Sequence, residues 1–154
     1  MNPRLRPILL VDDSPRDREL VIDALESHHL ANTVVAVRDG AEALDYLHAR
    51  GEFANRPDPL PAVILLDLKM PKLDGLDVLR ELKSTPELKL LPVVMMTSSR
   101  EEQDLVNSYQ LGVNAYVIKP VNFQEFVEAV KQIGAFWGLL NELPPVPVGC
   151  GPKG

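Results

Sequence analysis

The sequence has little that suits a secreted, membrane-bound or nucleic-acid-binding protein. It holds one cysteine, Cys150, in 154 residues, so no internal disulfide can form and a reducing cytosol suits it. Its formal net charge is -6, and no block of Lys and Arg supplies the basic surface that general nucleic-acid binding needs. Arg4 and Arg6 precede an apolar run that Asp12 ends after four residues, too short for a signal-peptide core or a membrane span. We expect a cytoplasmic protein without membrane or nucleic-acid partners.

The remaining composition is that of an ordinary globular domain. Hydrophobic residues make up 45% of the chain and charged residues 25%, and the length suits one compact domain with a sizeable core. We expect this domain to cover residues 1–140. Residues 141–154 are rich in proline and glycine, which predicts a loosely ordered tail with no output domain.

Short apolar runs alternate along the chain with longer segments of helical periodicity. Continuous apolar runs, unlike alternating ones, are typical of strands covered on both faces. Five strand-and-helix units predict a doubly wound α/β sandwich of three layers, with a parallel sheet and right-handed crossovers. We expect the flavodoxin-like strand order 2-1-3-4-5. The predicted strands are Ile8 to Val11, Val34 to Val37, Val63 to Leu66, Val93 to Met96 and Ala115 to Ile118.

Polar residues follow four of these five strands. Asp12 and Asp13 end the first strand, Asp67 the third, Thr97 the fourth and Lys119 the fifth. Ligands of such sheets bind at the carboxyl ends of the strands, beside the switch point between strands one and three. Three carboxylates placed there repel one another, and their oxygen ligands favour Mg²⁺ or Mn²⁺ over zinc. A carboxylate nucleophile beside a metal and an ammonium group suits phosphoryl transfer.

Each residue taken alone has an ordinary structural interpretation. Asp12 and Asp13 could cap the first helix, and Thr97 with Ser99 could cap the fourth. Asp74, followed by glycine, is typical of a turn. The set as a whole is harder to explain without a site, because several functional groups end neighbouring strands.

Four segments, ILLVDDSP, ILLDLKMPKLDG, VVMMTSS and AYVIKP, resemble the receiver domains of response regulators of the CheY type. The resemblance covers roughly residues 7 to 140. It implies that Asp67 is the phosphoacceptor and that Asp13, Asp67 and the backbone carbonyl of Lys69 hold Mg²⁺, with Asp12 in the acidic pocket. It further implies a switch hydroxyl, a switch aromatic, a phosphoryl-contacting lysine and a cis peptide bond. These are Thr97, Tyr116, Lys119 and the Lys119–Pro120 bond.

The resemblance also implies a partner and a mode of action. A sensor histidine kinase would donate the phosphoryl group, and the protein would signal by contact with a downstream protein rather than turn over a substrate. The loop before strand three and the segment NFQEFVEAVKQIGAFWGLLNELPP resemble the small regulators of bacterial phytochrome kinases. The last helix carries more apolar residues than one core stripe needs. Either the tail covers them or, as we prefer, they form a homodimer surface made of Phe136, Trp137, Leu139 and Leu140.

Lys69 and Ser99 each lie two residues past a residue of the predicted site. We expect these two side chains to influence the attacking water, and hence the lifetime of the phosphoryl group. Three other interpretations compete with that of a receiver that signals through phosphorylation. A haloacid-dehalogenase-type phosphatase would need an aspartate at position 69. A flavodoxin-like FMN carrier would need a phosphate-binding loop where Asp12 and Asp13 stand. The third alternative is a receiver domain that acts without phosphorylation.

Overall fold

The structure is a computed structural model that describes residues 6–27, 32–56, 60–113 and 115–132. Strands and helices alternate, and one short 3-10 helix follows the second α-helix. Among the described residues no helix is long and apolar enough to cross a bilayer. The elements in chain order are β1 (Ile8–Val11), α1 (Pro15–Glu26), β2 (Val34–Val37), α2 (Gly40–Leu47), the 3-10 helix (Gly51–Phe53), β3 (Val63–Asp67), α3 (Gly75–Lys83), β4 (Val93–Thr97), α4 (Arg100–Ser108), β5 (Ala115–Ile118) and α5 (Phe123–Gln132).

The five strands form one parallel sheet in the order β2-β1-β3-β4-β5. This confirms the predicted fold and strand order. The switch point lies between β1 and β3, whose register pairs Val11 with Leu66. The next residue of each strand is an aspartate, so Asp12 and Asp67 lie side by side at the carboxyl edge. On the other side of β3, Asp67 is paired with Met96.

Two apolar cores lie on opposite faces of the sheet. One core joins α1 and α5 to the sheet, and Phe126 is fully buried at its centre. The other joins α2, α3 and α4 to the opposite face, with Leu79 fully buried. The three central strands β1, β3 and β4 are buried along their whole lengths, which explains why their sequences are continuously apolar. The edge strands differ from that prediction, because Ala36 of β2 and Ile118 of β5 are exposed.

The first residues of the helices follow the expected capping chemistry. The Ser14 hydroxyl accepts a hydrogen bond from the Asp17 backbone N–H at 3.2 Å, and Pro15 occupies the first turn of α1. Ser99 caps α4 in the same way. Asp74 does more than form a turn: it caps α3, in a box where its carboxylate and that of Asp77 each accept from the other's backbone N–H. These caps fix where each helix begins at the carboxyl edge of the sheet.

The loop before β3 contains the 3-10 helix, and residues 57–59 lie outside the described part. Phe53 packs edge-on against Tyr46, with 5.2 Å between ring centroids. The Arg56 guanidinium lies 5.1 Å from the centroid of the Tyr46 ring. The start of this loop is therefore held against α2 by aromatic and cation–π contacts.

Gly75, the first residue of α3, lies directly against the backbone of the predicted phosphoacceptor. Its N–H donates to the carbonyl oxygen of Leu68 at 2.9 Å. A Cβ atom at this position would lie 2.5 Å from the carbonyl oxygen of Asp67 and 2.9 Å from the Cα of Leu68. The close approach of α3 to the end of β3 therefore depends on the absence of a side chain.

Candidate functional site

Three carboxylates meet at the carboxyl ends of β1 and β3. Asp12, Asp13 and Asp67 each offer one oxygen, and these three oxygens lie within 4.8 Å of one another. Asp12 and Asp67 are buried, whereas Asp13 is exposed. The register explains this proximity, because residues that follow paired positions of adjacent strands are neighbours. The structure thus brings together the three acids that the sequence predicted.

The donor set at this cluster fits a hard divalent cation. The two oxygens of Asp12 have different partners: Oδ1 accepts from the Ser14 backbone N–H at 3.0 Å, while the buried Oδ2 has no hydrogen-bond donor. One positive charge, the Lys119 Nζ, lies 3.3 Å from that oxygen, but a single ammonium does not offset three carboxylates. Together with an exposed acid that leaves access from solvent, an all-oxygen group of this kind suits Mg²⁺ or Mn²⁺. The structure does not bear on the backbone carbonyl of Lys69 as a further ligand, which stays a prediction.

The Lys119 ammonium lies among the carboxylates. Its Nζ is 3.1 Å from Oδ2 of Asp67 and 3.3 Å from Oδ2 of Asp12. A third carboxylate, that of Asp17 on α1, accepts from the same Nζ at 3.1 Å. The backbone N–H of Lys119 donates to the Thr97 carbonyl at 2.9 Å, and the Lys119–Pro120 bond is cis, as the resemblance implied. The residue after β5 therefore places its ammonium group beside the aspartate at the end of β3.

The crowding of charges changes two pKa values. Burial and the negative charge of Asp12 raise the pKa of Asp67 to about 7, although Lys119 acts in the opposite sense. Burial acts to lower the pKa of Lys119, but attraction to Asp67 and Asp12 and the hydrogen bonds to Asp17 and Asp67 together raise it. Without a metal, Asp67 therefore holds its proton up to neutral pH, while Lys119 remains an ammonium. A bound cation would compete with that proton for the Asp67 carboxylate.

Thr97 and Tyr116, the predicted switch residues, occupy neighbouring strands. Thr97 is buried at the end of β4, and its hydroxyl accepts a long hydrogen bond of 3.5 Å from the Gln103 amide. Tyr116 is half-buried, and its hydroxyl donates to Oδ1 of Asn107 on α4 at 2.5 Å. Burial and repulsion by Asp104 raise the pKa of Tyr116. Both hydroxyls are thus bonded to α4, which makes this helix the element that a change at Thr97 would disturb.

Lys69 and Ser99, the predicted lifetime residues, have other partners in the structure. The Lys69 ammonium lies 3.4 Å from Oε2 of Glu102, and the Ser99 hydroxyl caps α4. Glu102 also accepts from the backbone N–H and the hydroxyl of Ser98, at 2.8 and 2.9 Å. Burial acts to raise the pKa of Glu102, but the bonds from Ser98 and Lys69 lower it. Glu102 therefore holds Lys69 and the β4–α4 loop together.

Sequence reasoning missed two acidic residues, Asp17 and Glu102. Asp17 carried a weak signal, since an acid in the first turn of a helix is common, and nothing in the sequence pointed to Lys119 as its partner. Glu102 looked like one more acid at the start of α4. The predicted dimer surface of Phe136, Trp137, Leu139 and Leu140 and the tail over 141–154 lie outside the described residues and stay predictions.

The comparison with known families agrees with this geometry. A family model described as "Response regulator receiver domain" matches residues 8–131, a range that includes all five strands and each residue of the acidic cluster. The chain belongs to this family. The α/β sandwich described above is therefore a receiver domain.

This receiver domain is similar to several response regulators, two of which are named bacteriophytochrome response regulators. Response regulator Rcp1 of Synechocystis is 42% identical over 130 residues, which cover 84% of this chain and 87% of Rcp1. The structure of the bacteriophytochrome response regulator AtBRR covers 91% of this chain and 100% of its own, with 62% identity and a TM-score of 0.86. The structure of the bacteriophytochrome response regulator RtBRR covers 92% of this chain and 85% of its own, with 58% identity and a TM-score of 0.82. A Mn²⁺-bound structure of Rcp1, with a TM-score of 0.67, is 41% identical and covers 90% of this chain and 99% of its own.

Proposed function

We propose that this receiver domain is a phosphorylation switch, in which Asp67 accepts a phosphoryl group from a histidine kinase. The observation that carries this proposal is the position of the Lys119 ammonium, 3.1 Å from the Asp67 carboxylate, beside two further carboxylates able to hold a metal with it. The arrangement places a nucleophile, a cation and a metal-ligand set at one point of the sheet edge.

In the proposed step an Asp67 oxygen attacks phosphorus, and the bond from phosphorus to the donor's imidazole nitrogen breaks. The bonding electron pair leaves with the imidazole, and an aspartyl phosphate forms. Lys119 faces the position where charge develops on the phosphoryl oxygens, and it needs no rearrangement to reach it. Mg²⁺, held by Asp13, Asp67 and the carbonyl of Lys69, would neutralise part of that charge. Asp12 completes the acidic pocket.

The same step provides the signal. Among the described residues the Thr97 hydroxyl has only a long hydrogen bond, from Gln103, so it is free to turn and donate to a phosphoryl oxygen. Movement of Thr97 would then disturb Gln103 and, through Asn107, the Tyr116 hydroxyl. A change in α4 and β5 would be read by a downstream protein.

We propose a switch rather than a turnover enzyme. The phosphatase alternative needs a second carboxylate two residues after the nucleophile, and position 69 is a lysine whose ammonium is paired with Glu102. The FMN alternative is disfavoured by the carboxylates that crowd the end of β1, since they would repel a phosphate. A receiver that acts without phosphorylation would not need the full set of acids, Thr97 and Lys119.

The first experiment tests phosphorylation directly. Incubation with acetyl phosphate and Mg²⁺ is expected to add one phosphoryl group, measured as a gain in intact mass. The gain should disappear when EDTA replaces Mg²⁺ and in the Asp67→Asn variant. No gain with acetyl phosphate, phosphoramidate or any phosphorylated kinase would overturn the proposed function.

The partner is proposed to be a phytochrome-type histidine kinase, on the strength of the similarity to the bacteriophytochrome response regulators AtBRR and RtBRR. An autophosphorylated, radiolabelled bacteriophytochrome kinase should transfer its label to this protein faster than an unrelated histidine kinase does. Equal or slower transfer from the phytochrome kinase would reject this pairing while leaving the receiver function intact.

Release of Lys69 from Glu102 is expected to prolong the phosphorylated state. In Glu102→Gln the ammonium loses its ion pair and becomes free to approach the phosphoryl anion, where it hinders attack by water. The pair is surface-exposed on the Lys69 side, so we expect a two- to threefold slower dephosphorylation, which corresponds to roughly 0.5 kcal/mol. The decay of phosphorylated protein after removal of acetyl phosphate measures it. The effect should vanish in a Lys69→Ala background; if it persists there, Lys69 is not the cause.

A further inference from the structure

We propose that Asp17 is a positioning residue that holds the Lys119 ammonium in place for phosphoryl transfer to Asp67. This inference rests on the proposed function of Asp67. Asp17 is separated from Lys119 by most of the chain, yet its Oδ2 accepts a hydrogen bond from Nζ at 3.1 Å. The side chain is 40% exposed, so it lies at the rim of the site, on the side of α1.

An acid in the first turn of a helix is favourable by itself, because it interacts with the helix dipole and the free N–H groups. That explanation accounts for an Asp at position 17 but not for its contact. The free N–H that an acid at this position of the helix could accept from is that of Ser14, and it donates to Oδ1 of Asp12 at 3.0 Å, so the carboxylate of Asp17 does not cap its own helix. It instead contacts the Lys119 ammonium, which follows β5.

The three carboxylates around Lys119 are not equivalent. Asp67 is changed by the reaction, because a phosphoryl group occupies one of its oxygens. Asp12 approaches Nζ through Oδ2 at 3.3 Å without making a hydrogen bond, and Asp12 also belongs to the acidic cluster that suits a metal. Asp17 is outside that cluster and is the partner that neither a cation nor a phosphoryl group at Asp67 displaces.

An ammonium carries three donors on a flexible side chain. The bond to Asp17 occupies one donor and restricts the side chain, while leaving Nζ 3.1 Å from Asp67. The other donors stay available for the phosphoryl oxygens. A small displacement of a charge-stabilising group raises the free energy of the transition state. Phosphoryl transfer to Asp67 is therefore faster when Lys119 is held in place than when it is mobile.

The test compares phosphorylation rates of variants by intact mass, with acetyl phosphate and saturating Mg²⁺. Asp17→Asn is expected to be about three- to tenfold slower than the wild type. Asp17→Glu keeps the charge with a longer reach and should recover part of the rate. Glu19→Gln removes the same charge from the same exposed stretch of α1 and serves as the matched control, with an unchanged rate expected. Urea unfolding of each variant checks that it is folded.

A double-mutant cycle separates positioning from a general structural effect. In a Lys119→Met background, Asp17→Asn should cause no further loss, because there is no ammonium left to position. An Asp17→Asn rate equal to or above that of the wild type, or the same fold loss with and without Lys119, would overturn the proposal.

A second readout does not depend on phosphorylation. In protein labelled with ¹⁵N at lysine side chains, the Lys119 ammonium signal should be observable in metal-free buffer at low temperature, because its hydrogen bonds slow exchange with water. It should broaden or vanish in Asp17→Asn and persist in Glu19→Gln. A signal that is unchanged in Asp17→Asn contradicts positioning by Asp17, whereas a wild type that never gains phosphate contradicts the proposed function instead.

Discussion

Asp67→Asn is expected to gain no phosphoryl group and yet, in metal-free buffer at pH 8, to be more stable than the wild type by about 1 to 3 kcal/mol. The loss of phosphorylation follows from the loss of the nucleophile. The gain in stability follows from the charges, since the carboxylates of Asp12, Asp17 and Asp67 gather around one ammonium, that of Lys119. Burial and the charge of Asp12 raise the pKa of Asp67 to about 7, so the folded protein disfavours its ionised form.

The sign of the pH dependence is fixed by that shift. An unfolded chain releases the Asp67 proton near pH 4 and the folded protein near pH 7. Between these values the folded state binds more protons than the unfolded state, so the free energy of unfolding decreases as the pH rises. The contribution of Asp67 to stability is complete below about pH 4 and is lost above about pH 7. An asparagine has no such dependence.

Urea unfolding at pH 5 and pH 8 in EDTA measures this effect. The advantage of Asp67→Asn over the wild type should be larger at pH 8, and Asp23→Asn, an exposed change on α1, should show no comparable dependence. Added Mg²⁺ should stabilise the wild type more than Asp67→Asn, because the metal offsets the repulsion among the carboxylates and the variant lacks one of them. If the free energies of unfolding of the wild type and Asp67→Asn differ by the same amount at both pH values, the folded protein does not raise the pKa of Asp67.

Gly75→Ala is expected to destabilise the protein by about 2 to 3 kcal/mol, although alanine is the better helix former. The new Cβ would meet the Asp67 carbonyl at 2.5 Å and the Leu68 Cα at 2.9 Å, both backbone atoms that cannot turn aside. Either α3 or the end of β3 must move. We therefore expect slower phosphorylation by acetyl phosphate as well, measured alongside urea unfolding.

Gly112→Ala is the matched control for Gly75→Ala. Gly112 has a positive φ of 84°, and a Cβ there would meet only the end of the Lys83 side chain at 3.7 Å. Its cost is backbone strain of about 1 kcal/mol, and it lies at the amino end of β5, at the opposite edge of the sheet from Asp67. The phosphorylation rate of folded Gly112→Ala should be that of the wild type. A Gly75→Ala protein as stable and as reactive as the wild type would show that α3 moves freely.

The fold could be predicted from the sequence because its signals are local. A strand buried on both faces must be apolar throughout, and the five apolar runs coincide with β1 to β5 to within one residue. The meeting of Asp12, Asp67, Thr97 and Lys119 followed from the strand order, since each residue ends its strand. The exposure of Ala36 and Ile118 did not follow, because a short apolar run does not reveal whether its strand lies at an edge.

The side-chain partners could not be predicted. Whether Lys69 turns toward the phosphoacceptor or toward Glu102 depends on how α4 packs against the loop after β3, and no local pattern encodes it. The same is true of Asp17, whose contact with Lys119 requires α1 and β5 to lie against each other. Asp74 had a local signal, an aspartate followed by glycine, which predicted a turn but not that its side chain caps α3.

The strand order has a consequence for the growing chain on the ribosome. Asp12, Asp13 and Asp67 are made well before Lys119, which belongs to the last strand of the sheet. A nascent chain that has paired β1 with β3 already brings the acids together, but the ammonium that offsets their repulsion has not emerged. Divalent cations are therefore expected to favour early pairing of these strands, and the Lys119 ammonium reduces that dependence once it has emerged.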